Sequence, residues 1–492
     1  MHCRTGGDLL FEGRGILALL KNFHLSFRAG NSGASMRTGP QTYSAGARVR
    51  HRDSEAEPLA GFASRKLTAF FNLGPGDVRN LSFLYFATFI MRAAAFAGVA
   101  VMQDVMHSLD PLWRGVLFAV YPLAEIATVG YLGALCDRIG RKRILVFAHL
   151  VTAAAVFLFI LSIGVDPGVR PYLVAVFFAM FGIGAAAKVA STLAMINDHS
   201  NRANRAQLMA FFDLVTFGGL VAGFGAAFLA LHAFGVADAV VLAVGGLGVT
   251  VSVVMVQFLV QETPFTPDLQ RGTIDLLHTV LRNKDIQRLL PVYIPVVALY
   301  GYVLTFTDNL LGAGTGGPGK TNLLLIVVAS LGIPLGLSLA VSGRLSDRAR
   351  LRRPFMALGL ACFGGLAILL ALATGAGSPD LQQLVSRWPL IVVLAAGAGT
   401  FPPAALAYLG DIVEHAVTGT TFGIYSIIFG SGLIVGPVLG GALTQALGPI
   451  AFAVIALGLI GISGTGVLFI REPLKTPRTA VAPESPIPPE TR

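Results

Sequence analysis

Four ionisable side chains stand where an apolar chain can least accommodate them. Arg92 lies inside the apolar run 81–103, Glu125 inside 112–136, Lys188 inside 171–196 and Asp213 inside 206–232. A charge in a hydrocarbon layer costs roughly 2.5–3.5 kcal/mol or more, so ionisable groups there mark substrate and ion pathways. Arg92 follows Asn80 by twelve residues, and Glu125 precedes Asp137 by twelve. At about 1.5 Å per residue both sit about 18 Å from the same end of their runs, a depth that suits an ion pair. Lys188, nine residues before Asn197, and Asp213, eight after Arg205, form a second candidate pair at about 12–14 Å. The chemistry such groups support is proton exchange. A neighbouring cation lowers a carboxylate pKa and burial raises it, so proton or substrate can tip the balance. Glu125 is the first candidate for a coupling carboxylate and Asp213 the second. Arg92 is the candidate for tuning Glu125 or holding an anionic substrate. Static bridges that only hold the segments together explain the same placement.

The elements around these residues are apolar runs long enough to cross a bilayer. Of 492 residues 54% are apolar and only 13% charged, about half the charge of a soluble domain. Spans of roughly 20 residues fit near 81–103, 112–136, 144–165, 171–196, 206–232 and 238–260. A second set fits near 289–311, 321–343, 354–375, 388–411, 419–446 and 449–470. The net charge of +10 raises nucleic acid as a partner. Its distribution in short clusters between apolar runs excludes that reading and matches the positive-inside pattern. Arg138, Arg141, Lys142 and Arg143, then Arg202 and Arg205, then Arg344, Arg348, Arg350, Arg352 and Arg353 share one set of loops, with Arg271, Arg282, Lys284 and Arg288 in the stretch 261–288. The opposite loops hold only Arg114, Arg170, Lys320 and Arg387. The first set is expected in the cytoplasm, and both termini with it.

The chain repeats itself. Gly133-Ala-Leu-Cys-Asp137-Arg138 recurs as Gly343-Arg-Leu-Ser-Asp347-Arg348, with Asp137 and Asp347 210 residues apart. Phe217-Gly218 recurs as Phe429-Gly430, and Asp198 as Asp411, at 212 and 213 residues. Two six-helix halves are expected, at 80–260 and 289–470, joined by a linker at 261–288. Residues 1–79 read as a disordered basic tail with a short interfacial helix near Ser64 to Leu73, and 471–492 as a disordered proline-rich tail. Met36 is an alternative start.

The segment Gly133-Ala134-Leu135-Cys136-Asp137-Arg138-Ile139-Gly140-Arg141-Lys142-Arg143 resembles the loop between helices 2 and 3 of the major facilitator superfamily, Gly-x-Leu-x-Asp-Arg-x-Gly-Arg-Arg/Lys. The second copy keeps Gly343, Leu345, Asp347 and Arg348 but has Arg350 where the later glycine would stand. The resemblance covers about 80–470. It implies an all-α integral membrane fold of twelve helices in two pseudo-symmetric bundles. It also implies a gating role for Gly133, Asp137, Arg138, Gly140, Arg141, Gly343, Asp347 and Arg348. Asp137 would face the N-terminal end of helix 11 near Thr418 to Phe422, and Asp347 that of helix 5 near Ala206, latching one side shut. Gly436-Pro437-Val-Leu-Gly440-Gly441 resembles an element that drug–proton antiporters carry in helix 5. Here helix 5 reads Gly218-Gly219-Leu-Val-Ala-Gly223-Phe-Gly225, which weighs against antiport.

These features predict a proton-coupled secondary transporter of a small organic solute in the inner or plasma membrane, a monomer working by alternating access. Export of amphiphiles by proton antiport and a transport-inactive sensor are the alternatives. Tyr300 and Tyr302 of helix 7 are candidates for the cavity wall. The chain has no phosphate loop, no His/Cys metal cluster and no Gly-x-Ser-x-Gly element. Cys3, Cys136 and Cys362 lie too far apart to suggest a disulfide framework or metal ligands. No enzyme activity, cofactor or metal is expected.

Overall fold

The computed structural model describes Thr68 and residues 73–200, 204–263, 282–311, 318–374, 381–412 and 418–472. Twelve spans emerge. They are α1 (Pro75–Val105), α2 (Pro111–Ile139), α3 (Arg141–Ile163), α4 (Arg170–His199), α5 (Arg205–His232) and α6 (Asp238–Leu259), then α7 (Lys284–Leu311), α8 (Pro318–Ala349) and α9 (Arg353–Thr374). The tenth is split into α10a (Trp388–Ala398) and α10b (Phe401–Ile412), followed by α11 (Thr418–Leu447) and α12 (Ala451–Leu468). All twelve are long and apolar enough to cross a membrane. Large apolar side chains such as Leu161, Val244, Leu247, Leu337, Leu372 and Val393 face outward, as a lipid solvent requires. The expected interfacial helix, most of the linker and most of the C-terminal tail lie outside the described residues, apart from Thr68, Leu73, the linker's two ends and Arg471-Glu472. α1 begins at Pro75 and α7 at Lys284, earlier than the apolar runs alone indicate.

Two differences from the expected spans have local causes. The tenth run breaks at Gly399-Thr400, where Pro402 and Pro403 supply no N–H donors. The Thr400 hydroxyl there donates to the carbonyls of Gly397 and Phe355, at 2.8 and 2.9 Å. Arg114, read above as a loop residue, is 3% exposed in the first turn of α2.

Within the first half α1 packs on α5 and α6, and α4 on α2 and α3. Within the second, α7 packs on α11 and α12, and α8 on α10a. The halves meet through α2 with α11 and α5 with α8. The corresponding crossings α1–α5 and α7–α11 use the same device. A Cβ on Gly223 would stand 1.9 Å from the Ala93 carbonyl oxygen, and one on Gly436 1.8 Å from that of Ala298. Small residues let backbones touch where lipid provides no hydrophobic drive for association. Gly432, Gly436 and Gly440 line the face of α11 toward α7, while Gly430 and Gly441 face α2. The glycine-rich run of α11 is therefore built for packing on two sides at once.

The repeat extends to the end of the bundle that carries the basic loops, called here the basic end. Asp198 at the end of α4 pairs with Arg141 at the start of α3, and Asp411 at the end of α10b pairs with Arg352 at 2.9 Å. Glu262 after α6 accepts from the Arg141 and Lys142 amides at 3.0 and 3.1 Å. Glu472 after α12 accepts from those of Arg352 and Arg353 at 2.8 and 3.1 Å. In each half a carboxylate from the last helix caps the N-terminus of the third, where free N–H groups and the helix dipole favour it.

Gly140 makes the intervening turn at φ 108°, in the region that favours glycine. Its counterpart Arg350 also takes a positive φ, 52°. The second copy thus turns without the glycine, at a cost of about 1–2 kcal/mol, through the three residues 350–352 where Gly140 alone separates α2 from α3. Arg350→Gly is expected to raise thermal stability in detergent by about 1 kcal/mol. A lowered unfolding midpoint would contradict that reading.

Candidate functional site

Four ionisable side chains of the first half, those singled out in the sequence, are buried: Arg92 4% exposed, Glu125 2%, Lys188 0% and Asp213 2%. Close helix approaches place them. A Cβ on Gly182 would lie 2.2 Å from the Tyr121 carbonyl oxygen, so α4 rides directly on α2 beside Glu125. A Cβ on Gly219 would lie 3.0 Å from Arg92 Cβ, so α5 does the same on α1. Glu125 is within electrostatic reach of both Arg92 and Lys188, and Lys188 in turn of Asp213.

Neither expected ion pair closes in this conformation. Arg92 Nη1 donates instead to the Tyr121 hydroxyl at 3.2 Å, and its guanidinium lies 5.2 Å from the Phe96 ring centre. Lys188 Nζ has no hydrogen-bond partner and stands 5.3 Å from the Phe212 ring centre. Glu125 Oε2 and Asp213 Oδ1 are also without partners. The Thr192 and Thr216 hydroxyls of α4 and α5 are buried and unpartnered as well. Native interiors satisfy nearly all such groups, so this concentration of free donors and acceptors marks a place built for something else to bind.

The second half closes the site with Tyr300 of α7, whose hydroxyl is buried and unpartnered, and Ser426 of α11, whose buried hydroxyl lies beside Glu125. Tyr300 lies within reach of Arg92 and Tyr121. Its ring meets Phe217 at 6.3 Å and Phe429 at 6.4 Å, and those two meet at 6.1 Å. An aromatic cluster drawn from both halves thus adjoins the charged set. Tyr302 points elsewhere, into the packing of α7 against α11 and α12. Its hydroxyl meets that of Thr444 at 3.0 Å and its ring stacks on Phe452.

Tyr121 was missed in the sequence, although its spacing of four residues from Glu125 puts both on one helix face. His149 was missed too. It is fully buried on α3, with Nδ1 2.9 Å from the Leu145 carbonyl, within reach of Lys188.

Of the gating residues, Asp137 is half-buried at the end of α2, and Arg138 is exposed. The side chains of Asp347 and of residues 418–425 lie outside the described residues, and with them the helix 11 contact expected of Asp137. Arg141 serves within its own half, holding Asp198 and donating from Nη1 to the Ala194 carbonyl at 3.1 Å. Among the described residues no group of three or more His, Cys, Asp or Glu side chains is placed to hold a metal.

Solved structures similar in fold to this chain include transporters. A point mutant of the nucleoside transporter NupG superimposes with a TM-score of 0.58 at 15% identity, covering 79% of this chain and 97% of that one. The human organic anion transporter MFSD10 gives 0.58 at 14% identity, covering 80% and 99%. The puromycin resistance protein pur8 of Streptomyces alboniger is 36% identical over 122 residues, a quarter of this chain and 22% of that protein's length. The family model described as Major Facilitator Superfamily matches residues 81–379 and 318–490. With a family match over most of its length and the twelve-helix, two-half fold, this chain belongs to the Major Facilitator Superfamily of membrane transporters.

Proposed function

We propose that the chain is a proton-coupled secondary transporter that moves a small organic solute by alternating access through the site between its halves. The observation that carries this is the set of four buried ionisable groups on α1, α2, α4 and α5, none of them closed into an ion pair, facing hydroxyls of α7 and α11. A merely structural set of charges would be paired, because an unpaired buried charge costs several kcal/mol. Here Arg92 Nε, Glu125 Oε2, Lys188 Nζ and Asp213 Oδ1 are left open to a proton or a solute. In this reading the basic end faces the cytoplasm of an inner or plasma membrane, both termini lie there, and the working unit is a monomer. Export in exchange for protons is the second reading, and the stretch similar to a puromycin resistance protein favours it.

Proteoliposomes with an entrapped pH dye separate the two. Sugars, nucleosides, amino acids, monocarboxylates and puromycin are added in turn outside, with protein-free liposomes as the control for passive entry. Symport of one class is expected to acidify the lumen beyond the control. Lumen alkalinisation would indicate exchange. No protein-dependent proton movement with any of them would overturn proton coupling.

A further inference from the structure

The four buried charges balance to zero when all are ionised, two cationic and two anionic. Three loaded states can be compared with that neutral empty site. A proton alone makes it +1, an organic anion alone makes it −1, and the two together restore zero. A buried net charge is expensive in a bilayer, so the neutral states are the ones that can reorient. A cationic substrate exchanging for a proton would instead carry +1 in both directions. Arg92 cannot shed its charge to relieve this, since a guanidinium stays protonated in proteins. The proton-loaded site is therefore a standing attractor for an anion.

The donors to receive one are in place. Lys188 Nζ and Arg92 Nε are buried and unpartnered, and the Tyr300 hydroxyl offers another donor from the opposite half. The aromatic cluster of Phe217, Tyr300 and Phe429 supplies an apolar wall for the rest of the molecule. We infer that the substrate is a small organic monoanion with an apolar body, its acid group held by Lys188 and Arg92, and that one proton on the carboxylates accompanies it. This rests on the transporter reading above and names the substrate class of the same site. The groups that face the proton's position are Arg92 on α1, Tyr121 on α2, His149 and Lys188 on α3 and α4, Asp213 on α5, Tyr300 on α7 and Ser426 on α11.

The test is binding in detergent, which needs no transport and so fails independently of the transporter reading. Thermal unfolding of the purified full chain is followed with benzoate, phenylacetate or hexanoate, and with benzamide and benzylamine as neutral and cationic counterparts of benzoate. A ligand that binds only the folded state raises the midpoint in proportion to its occupancy. At least one acid is expected to stabilise the protein while the amide and amine do not. Its affinity should rise as pH falls from 8 to 6, by up to tenfold per unit, because binding takes up a proton. Lys188→Met should weaken acid binding about ten- to a hundredfold, the loss of charge-assisted hydrogen bonds. Glu125→Gln should keep acid binding and flatten its pH dependence. Amide or amine binding as well as the acid, undiminished binding in Lys188→Met, or no stabilisation by any of the three acids overturns the inference. If Lys188→Met does not purify, the wild-type comparison of acid, amide and amine decides alone. Proton-coupled flux of a neutral or cationic solute in vesicles would refute the anion and leave the transporter standing.

Discussion

Glu125→Gln is expected to abolish accumulation driven by a pH gradient, by tenfold or more, while substrate counterflow continues near the parental rate. The expectation follows from what glutamine reproduces. It has the shape of glutamic acid and can donate a hydrogen bond, so it mimics the protonated carboxyl but cannot release the proton. Glu125 Oε2 is buried and unpartnered, and Arg92 and Lys188 are cations within its electrostatic reach. With the carboxylate fixed as neutral, the loaded carrier still reorients, because its charge is unchanged. The empty carrier then retains a net charge of +1 and returns slowly. Counterflow never uses the empty return step, so it survives, whereas net uptake depends on it. A static role predicts something different. Losing Glu125 would then leave Arg92 and Lys188 without their counter-charge and lower the yield of folded protein. Gradient-driven accumulation that persists in well-folded Glu125→Gln would remove Glu125 from coupling, and Asp213 would take its place as the residue to test. The measurements are uptake of the transported solute under an imposed pH gradient and exchange at equal pH, both in the same proteoliposomes.

How much of this is legible in the sequence depends on which coordinate is asked for. Depth along a helix follows from a fixed rise per residue, so Arg92 and Glu125 could be set at one level by counting. Which way each side chain turns depends on how helices pack, and counting is silent on that. Tyr121 takes Arg92, where Gly182 seats α4 on α2 and Gly219 seats α5 on α1. The repeat was legible because Asp198 and Asp411 recur at nearly the spacing of the loop motif. Their partners Arg141 and Arg352, and the caps Glu262 and Glu472, required the fold. The missing second glycine at Arg350 was legible, but not that the residue there still takes a positive φ and that the connection to α9 is longer than that from α2 to α3.

Arg114 and Gln103 were the least legible, because both stand at the ends of apolar runs, 112–136 and 81–103. Both are buried, at 3% and 0% exposure, and both reach from the first half to one place on α7. There the helix departs from helical geometry at Phe306, with φ −122° and ψ 24°. The Thr305 hydroxyl on its flank donates back to the Gly301 carbonyl at 2.8 Å, a contact that competes with the helical ladder. The break leaves nearby carbonyls in need of donors. Gln103 Nε2 donates to that of Leu304, and Arg114 Nη2 donates to that of Thr305 at 3.3 Å, with its guanidinium 5.4 Å from the Phe306 ring centre. This lies at the end opposite the basic loops. There α2 and α11 also touch: a Cβ on Gly115 would stand 2.1 Å from the Pro437 carbonyl oxygen. The contacts hold only while the two halves are together at that end, and opening it returns the freed carbonyls to water. Removing the donors therefore penalises the closed state selectively, by roughly 1–3 kcal/mol for each unsatisfied carbonyl. Gln103→Leu with Arg114→Met is expected to shift the equilibrium toward the conformation open at that end by about tenfold or more. Spin labels at Asp110 and Leu447, at the ends of α2 and α11, read this directly in a background lacking Cys3, Cys136 and Cys362. The distance distribution should gain a longer component in the double variant. A distribution identical to the parent's would mean that these donors merely fill the packing and hold no gate.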